Sequence, residues 1–199
     1  MKNFKPIIIV LLVISICACG TSTSITRSYK KPGTTAKTYK KIFLSVIASD
    51  VATKQTIESQ LASALQTNGI EVVKSIDAFP PSEKVADKET LLGKIRSYNP
   101  EAIVTVALVD KETEQRYVPG NFYNYYSGWY GSVYSPGYYT NDKVYYLETN
   151  LYDATAEDLI WSAQSETYNP SNLESFVEGY RKAIRKKLQE DGIIPPPQK

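Results

Sequence analysis

The sequence predicts a mixed α/β (α+β) domain over residues 40–194, with a sheet of about five strands packed with three main helices. Three observations carry that reading. Residues 42–48 and 102–109 are nearly continuous apolar runs, the pattern of strands covered on both faces. Between them, apolar residues recur at helical spacing in two stretches separated by a short β-branched run. Further on, residues 144–153 and 159–168 alternate apolar and polar side chains, as strands with one packed and one wet face do. The order is strand, helix, strand, helix, strand, aromatic insertion, strand, strand, helix. Right-handed crossovers belong to the first half and an antiparallel hairpin to the second.

Each element has its own signal. Ser49 or Asp50 caps a helix running to about Asn68, with Ile57, Leu61, Ala64 and Leu65 on one stripe and Gly69 as its stop. Residues 70–76 read as the second strand and Pro80-Pro81 as a loop. Asp87 caps a helix presenting Leu91, Leu92, Ile95 and Tyr98. Asn99-Pro100 ends it, because a residue before proline avoids the helical region. In the hairpin, Tyr145, Leu147, Thr149 and Leu151 share the packed face, opposite Tyr146, Glu148, Asn150 and Tyr152. Leu159, Trp161 and Ala163 pack from the next strand, and Asp153 bonds the turn backbone. Ser171 opens the last helix with Glu174 completing a capping box. Leu173, Phe176, Val177, Tyr180, Ile184 and Leu188 form its buried stripe, Gly192 closes it, and residues 195–199 are a proline-rich tail.

The residues before the domain carry an address. Lys2 and Lys5 precede an apolar run over residues 7–16, followed by Cys17-Ala18-Cys19-Gly20. The run is short of the roughly 20 residues a helix needs to cross the hydrocarbon, so it reads as an export signal, residues 1–18. Ile16-Cys17-Ala18-Cys19 has the layout of a lipobox, in which the final cysteine is acylated and becomes the first residue of the mature chain. Cys17 does not suit that role, because Ile16 would then sit where a small residue is wanted. Each buried methylene contributes about 0.8 kcal/mol, so one acyl chain binds reversibly and two or more hold stably. Gly20 in place of an aspartate points to the outer membrane rather than the inner one, on its periplasmic side or at the surface. Residues 19–39, rich in Ser, Thr, Lys and Gly, read as a flexible tether.

Composition excludes several chemistries. Loss of Lys2 and Lys5 with the signal leaves 21 basic residues against 21 acidic ones, so nothing favours nucleic acid as a partner. No cysteine follows Cys19, and the mature domain holds itself together by its core without a disulfide. Histidine is absent, which removes the usual metal ligand and the usual general base at neutral pH. Neither a metal nor a cofactor is expected.

Residues 119–141 stand apart. Phe122, Tyr123, Tyr125, Tyr126, Trp129, Tyr130, Tyr134, Tyr138 and Tyr139 are interleaved with Gly128, Gly131, Gly137 and Pro136, without helix or strand period. This reads as a long insertion between two strands, and insertions of that length usually carry function. Tyrosine and tryptophan offer flat apolar area with a polar tip, suited to a protein partner, a sugar ring or a membrane interface. The competing reading is a loop folded over its own sheet. On the last helix, Arg181, Lys182, Arg185, Lys186 and Lys187 complement the helix dipole on a solvated face, or else meet lipid headgroups. The carboxylates Glu148, Glu157, Asp158 and Glu166 fall into no catalytic spacing. The expected function is therefore a non-catalytic binding or assembly module acting through the aromatic loop. The alternative is a histidine-independent hydrolase using carboxylates.

The chain resembles a family of uncharacterised bacterial envelope lipoproteins carrying a domain of unknown function. Glu58, Leu61, Leu65 and Gly69 in the first helix carry the resemblance, with Asn99-Pro100-Glu101-Ala102 before the central strand. So do Leu151-Tyr152-Asp153-Ala154, Leu159-Ile160-Trp161-Ser162 and the closing Asp191-Gly192. The resemblance implies a compact α/β sandwich, somewhat similar to the amino-terminal domain of the Tol system's propeller protein. It implies no catalytic residue, and the tyrosine-rich insertion has no counterpart in it.

Overall fold

A computed structural model of the chain describes residues 22–48, 50–80, 87–118 and 138–196. Its elements are β1 (Ser22–Lys30), β2 (Lys41–Ile47), α1 (Val51–Gln66), β3 (Glu71–Lys74), α2 (Ser75–Ala78), α3 (Lys88–Ser97), β4 (Ala102–Val118), β5 (Tyr138–Asp153), β6 (Leu159–Tyr168) and α4 (Leu173–Glu190). The six strands form one sheet in the order β1-β6-β5-β4-β2-β3. β2 runs parallel to both β3 and β4, and the other pairs are antiparallel. The expected mixed α/β architecture is the observed one.

The sheet carries helices on both faces. Ile42, Leu44 and Val46 of β2, Val106 of β4, Leu147 and Leu151 of β5 and Trp161 of β6 point to one face. There they meet Ile57 and Leu61 of α1 and Phe176, Val177, Tyr180 and Ile184 of α4. Phe43 points the other way, into a smaller cluster with Ala78 at the end of α2, Ile95 of α3, and Phe79 and Tyr98. Period-two alternation in a strand buried on both sides sends neighbours to opposite cores. Leu147, Thr149 and Leu151 are buried as the alternation requires, whereas Tyr145 on the same face is half-buried, and Tyr146, Glu148, Asn150 and Tyr152, expected on a wet face, are half-buried too.

The helix ends show where side chains compete for backbone donors. Asp50 accepts from Thr53 N at 2.6 Å and Asp87 from Thr90 N at 2.9 Å, so both expected caps are in place. Gly69 and Gly192 take φ of +78° and +62°, the left-handed stop that glycine tolerates. The last helix is capped one residue later than its sequence suggests. Asn172 Oδ1 accepts from Ser175 N at 2.8 Å, and Ser175 Oγ accepts from Asn172 N, closing the box without Glu174.

Three boundaries depart from expectation. The stretch read as a flexible tether contains β1, an edge strand antiparallel to β6 with a shift of register between Ile25 and Arg27. It has a single large aliphatic residue, Ile25, so hydrophobic pattern does not reveal it. Ladder hydrogen bonds and the Thr23–Thr167 hydroxyl contact of 2.9 Å hold it instead. The second parallel strand ends at Lys74 rather than at residue 76. Ser75 and Ile76 turn into α2 because their side-chain hydroxyl and backbone N–H donate to the buried carboxylate of Glu58. Finally, β4 and β5 run well past the lengths predicted for them, which matters most for the candidate site.

Candidate functional site

β4 and β5 pair from Ala102↔Asp153 out to Val118↔Tyr138. Their flanking partners stop earlier: β2 leaves β4 at Ala107, and β6 leaves β5 at Val144. Beyond those points the two strands pair, among the described residues, only with each other, as a two-stranded arm. The insertion expected over residues 119–141 is therefore shorter, since Tyr138, Tyr139, Thr140 and Asn141 belong to β5, with Tyr138 opposite Val118 and Tyr139 opposite Tyr117. The segment from Asp110 to Arg116 is polar and charged, and a ribbon without a core face has no need of apolar alternation. Periodicity therefore gives no sign that the strands extend. Phe122, Tyr123, Tyr125, Tyr126, Trp129, Tyr130 and Tyr134 lie outside the described residues.

At the root of the arm, side chains cross-brace the two strands. Tyr146 OH donates to Glu112 Oε2 at 3.2 Å, and Lys111 Nζ stands 5.5 Å from the centroid of the Tyr145 ring, within cation–π reach. Tyr145 in turn meets Phe176 of α4 edge-on at 5.6 Å. Asn169, at φ +43°, locks the same region by donating from Nδ2 to Asp142 Oδ1 and accepting from Lys143 N at 2.7 Å. Leu108 faces Leu147, and the register then slips past Val109, so a bulge marks where the arm leaves the sheet.

The amino-terminal side of the domain meets this same end. Ser22 pairs with Tyr168, Tyr168 with Val144, and Val144 with Glu112. Cys19 lies outside the described residues, yet only Gly20 and Thr21 separate it from a residue in the ladder. A cavity of about 370 Å³ opens here between the starts of α1 and α4, lined by Val46, Ile57, Val106, Leu147 and Phe176. Its surroundings are apolar and uncovered: Ile47 is 58% exposed, Leu108 49%, Val109 55% and Val51 47%.

The singled-out carboxylates are not brought together. Glu166 accepts from Ser24 Oγ at 2.8 Å, Glu148 from Asn150 Nδ2, Asp158 pairs with Lys31, and Glu157 with Arg96. Asp153 does what its turn position required, accepting from Thr155 N and Ala156 N at 2.8 Å each. The Ala156 and Thr155 amides, with Lys37 and Lys31, hold its carboxyl below the usual range. No group of three or more Cys, Asp or Glu among the described residues is placed to hold a metal ion. The most deeply buried carboxyl among the described residues is that of Glu58, which the sequence marks only as a first-helix position carrying the family resemblance. It is fully inaccessible and accepts from Val46 N, Ser75 Oγ and Ile76 N. A glutamate inside an otherwise apolar stripe was the available signal. Its role is architectural, tying α1 to β2 and to the β3–α2 junction.

These features define an α/β domain with a two-stranded β-ribbon beside the start of β1. No protein-family model matches the chain, and no curated protein is significantly similar to it. Solved structures similar to it include bacterial lipoproteins and a dodecamer. The PelC dodecamer from Paraburkholderia phytofirmans is 19% identical, with 83% of this chain and 95% of that one covered at a TM-score of 0.46. Lipoprotein GNA1162 from Neisseria meningitidis is 10% identical over 75% of this chain and 98% of that one, at a TM-score of 0.43. A minor lipoprotein from Acinetobacter baumannii is 12% identical over 78% and 97%, at a TM-score of 0.32.

Proposed function

We propose that the chain is a bacterial envelope lipoprotein, acylated on Cys19 and held at the outer membrane, whose domain is a non-catalytic binding module. Its contact element is the β4–β5 arm with the aromatic run that joins its two strands, and its partner is a protein or glycan of the envelope. One observation carries the reading: two strands continue past the sheet with both outer edges unpaired among the described residues. A lone two-stranded ribbon is marginal in water, and open edges invite another chain to pair. Between Arg116 and Asp142 the sequence has no charged residue but seven tyrosines and Trp129 between Asn121 and Tyr139, a composition suited to contact surfaces. With Ser22 already in the ladder, an anchor on Cys19 sets the arm's root close to the membrane.

A second reading has its own support. Asp142 and Val144, at the root of the arm, are buried, which fits an arm that covers its own sheet. One deletion separates the two. Replacing residues 115–141 by Asn-Gly joins the paired residues Glu114 and Asp142 and removes the arm. The binding reading expects a melting temperature within a few degrees of wild type, because loop entropy changes slowly with length, together with loss of cross-linked partners from intact envelopes. A far lower melting temperature supports self-packing. A normal melt with the same partners captured overturns the arm as contact element. The anchor is tested alongside: Cys19→Ala should abolish labelling by a palmitate analogue, and retained label refutes it.

A further inference from the structure

At the end of the helix layer opposite the arm, the C-terminal halves of α1 and α4 leave a second cavity, of about 220 Å³. Its floor is Ile42, Leu44 and Val106 of the sheet, and its walls include Leu61, Leu65 and Ile184. An apolar cavity of about 150 Å³ stays dry and takes up benzene, so this larger one suits hydrocarbon. Deep inside, the hydroxyls of Thr149 and Tyr180 lie 2.6 Å apart, both buried, and satisfy each other. Among the described residues the one buried side-chain polar atom left without a partner is Ser165 Oγ, which is not in the lining. The interior therefore asks for no polar ligand atom.

The rim is different. Arg181 and Arg185, one turn apart on α4, line the cavity beside Asn68. Arg185 Nη1 donates to the neutral Asn68 Oδ1 at 3.3 Å, and neither guanidinium has a carboxylate partner among the described residues. The next basic residues on the helix are paired: Lys186 with Glu190 at 3.7 Å and Lys187 with Asp191 at 2.8 Å. Two uncompensated guanidiniums thus stand over an apolar cavity. A guanidinium presents paired N–H donors that match a carboxylate.

We infer that this cavity binds a medium-chain fatty acid, its tail over Ile42, Leu44 and Val106 and its carboxylate against Arg181 and Arg185. The inference is independent of the arm and of the anchor. Complementarity decides the occupant: a neutral hydrocarbon leaves the arginines unused, and a small anion leaves the apolar cavity unfilled.

The test uses the mature chain carrying Cys19→Ser, which retains every described residue, and a series of saturated fatty acids from octanoate upward. Calorimetric titration should show Kd tightening about fourfold per added methylene, from the transfer free energy of one methylene, until the cavity is full. Arg181→Gln with Arg185→Gln should weaken dodecanoate at least tenfold while leaving dodecanol unchanged. Ala64→Phe, on the cavity wall, should abolish binding of both without lowering the melting temperature. The inference is overturned by any of three results: no binding by the unaltered chain, affinity independent of chain length, or equal affinity for dodecanoate before and after the arginine changes.

Discussion

Glu58 shows how much one residue holds. Its two oxygens satisfy three donors, one from β2 and two from the start of α2, 2.6 to 2.9 Å away, with no exposure to solvent. Lys54 Nζ stands 3.9 Å off, a distant counter-charge. Glu58→Ala orphans those donors, and each orphaned buried donor costs about 1–3 kcal/mol. A loss of roughly 3 kcal/mol is expected, which in a domain of this size lowers the melting temperature on the order of 10 °C. Glu58→Gln keeps one acceptor oxygen and should lose less. Circular-dichroism melts of both variants decide it; two wild-type melts would mean the carboxylate holds nothing. Trp161 is the contrasting case. Its burial follows from alternation with Ala163, but Leu159 does not share its face as the sequence suggests: the register slips beside Ile160, which packs on the main core instead. The Trp161 indole N–H donates to Asp191 Oδ2 at 2.8 Å.

At the scale of elements, β1 is the test of what pattern can reveal. Its residues alternate Ser, Thr, Arg and Lys with little apolar content, and so read as linker. In the fold it closes the β6 edge, packs Ile25 onto the main core, and sends Lys30 Nζ to the carbonyl of Asp191 at 2.7 Å. Deleting residues 22–30 should lower the melting temperature by at least about 10 °C, the equivalent of a few kcal/mol in a domain of this size. It should also promote self-association through the bared edge of β6. Size-exclusion chromatography with thermal melts measures both, and a tether would be removable with neither effect. The helices α1, α3 and α4 were legible because an amphipathic stripe plus a cap is a local signal. The arm was not, because ribbon strands bury no face.

For the whole molecule, the acid–base limits follow from a few groups. Partial burial opposes the charge on Asp191, but hydrogen bonds from Lys187, Trp161 and Ser28 outweigh it and hold its carboxyl below the ordinary range. Asp153 is lowered by its turn amides, and the capping residues Asp50 and Asp87 by Thr53 and Thr90. A carboxyl lowered by folding stabilises above its unfolded value and loses that contribution as pH falls, so stability should decline below about pH 4. Burial raises the Tyr180 hydroxyl strongly and Tyr39 less, which favours their neutral forms in the fold. Stability should therefore decline again as pH rises above about 10. Melting temperatures across pH should form a plateau between those limits. Asp191→Asn should flatten the acid limb, and Tyr180→Phe the alkaline one; limbs unchanged in both variants would exclude these groups as the cause.

By itself the sequence determined the two-sided strands, the three amphipathic helices with the caps at Asp50 and Asp87, the one-sided hairpin and the turn role of Asp153. Each of these is written within a few residues, in spacing that a local period or a single hydrogen bond enforces. Tertiary structure alone decided the sixth strand, the burial of Glu58, the length of the arm and the meeting of Arg181 and Arg185 with an apolar cavity. Several of those depend on pairings between residues more than a hundred positions apart, Ser22 with Tyr168 and Asn68 with Arg185 among them. A polar segment becomes a strand only when another strand's edge is there to receive it, and that edge is set by the fold rather than by the segment.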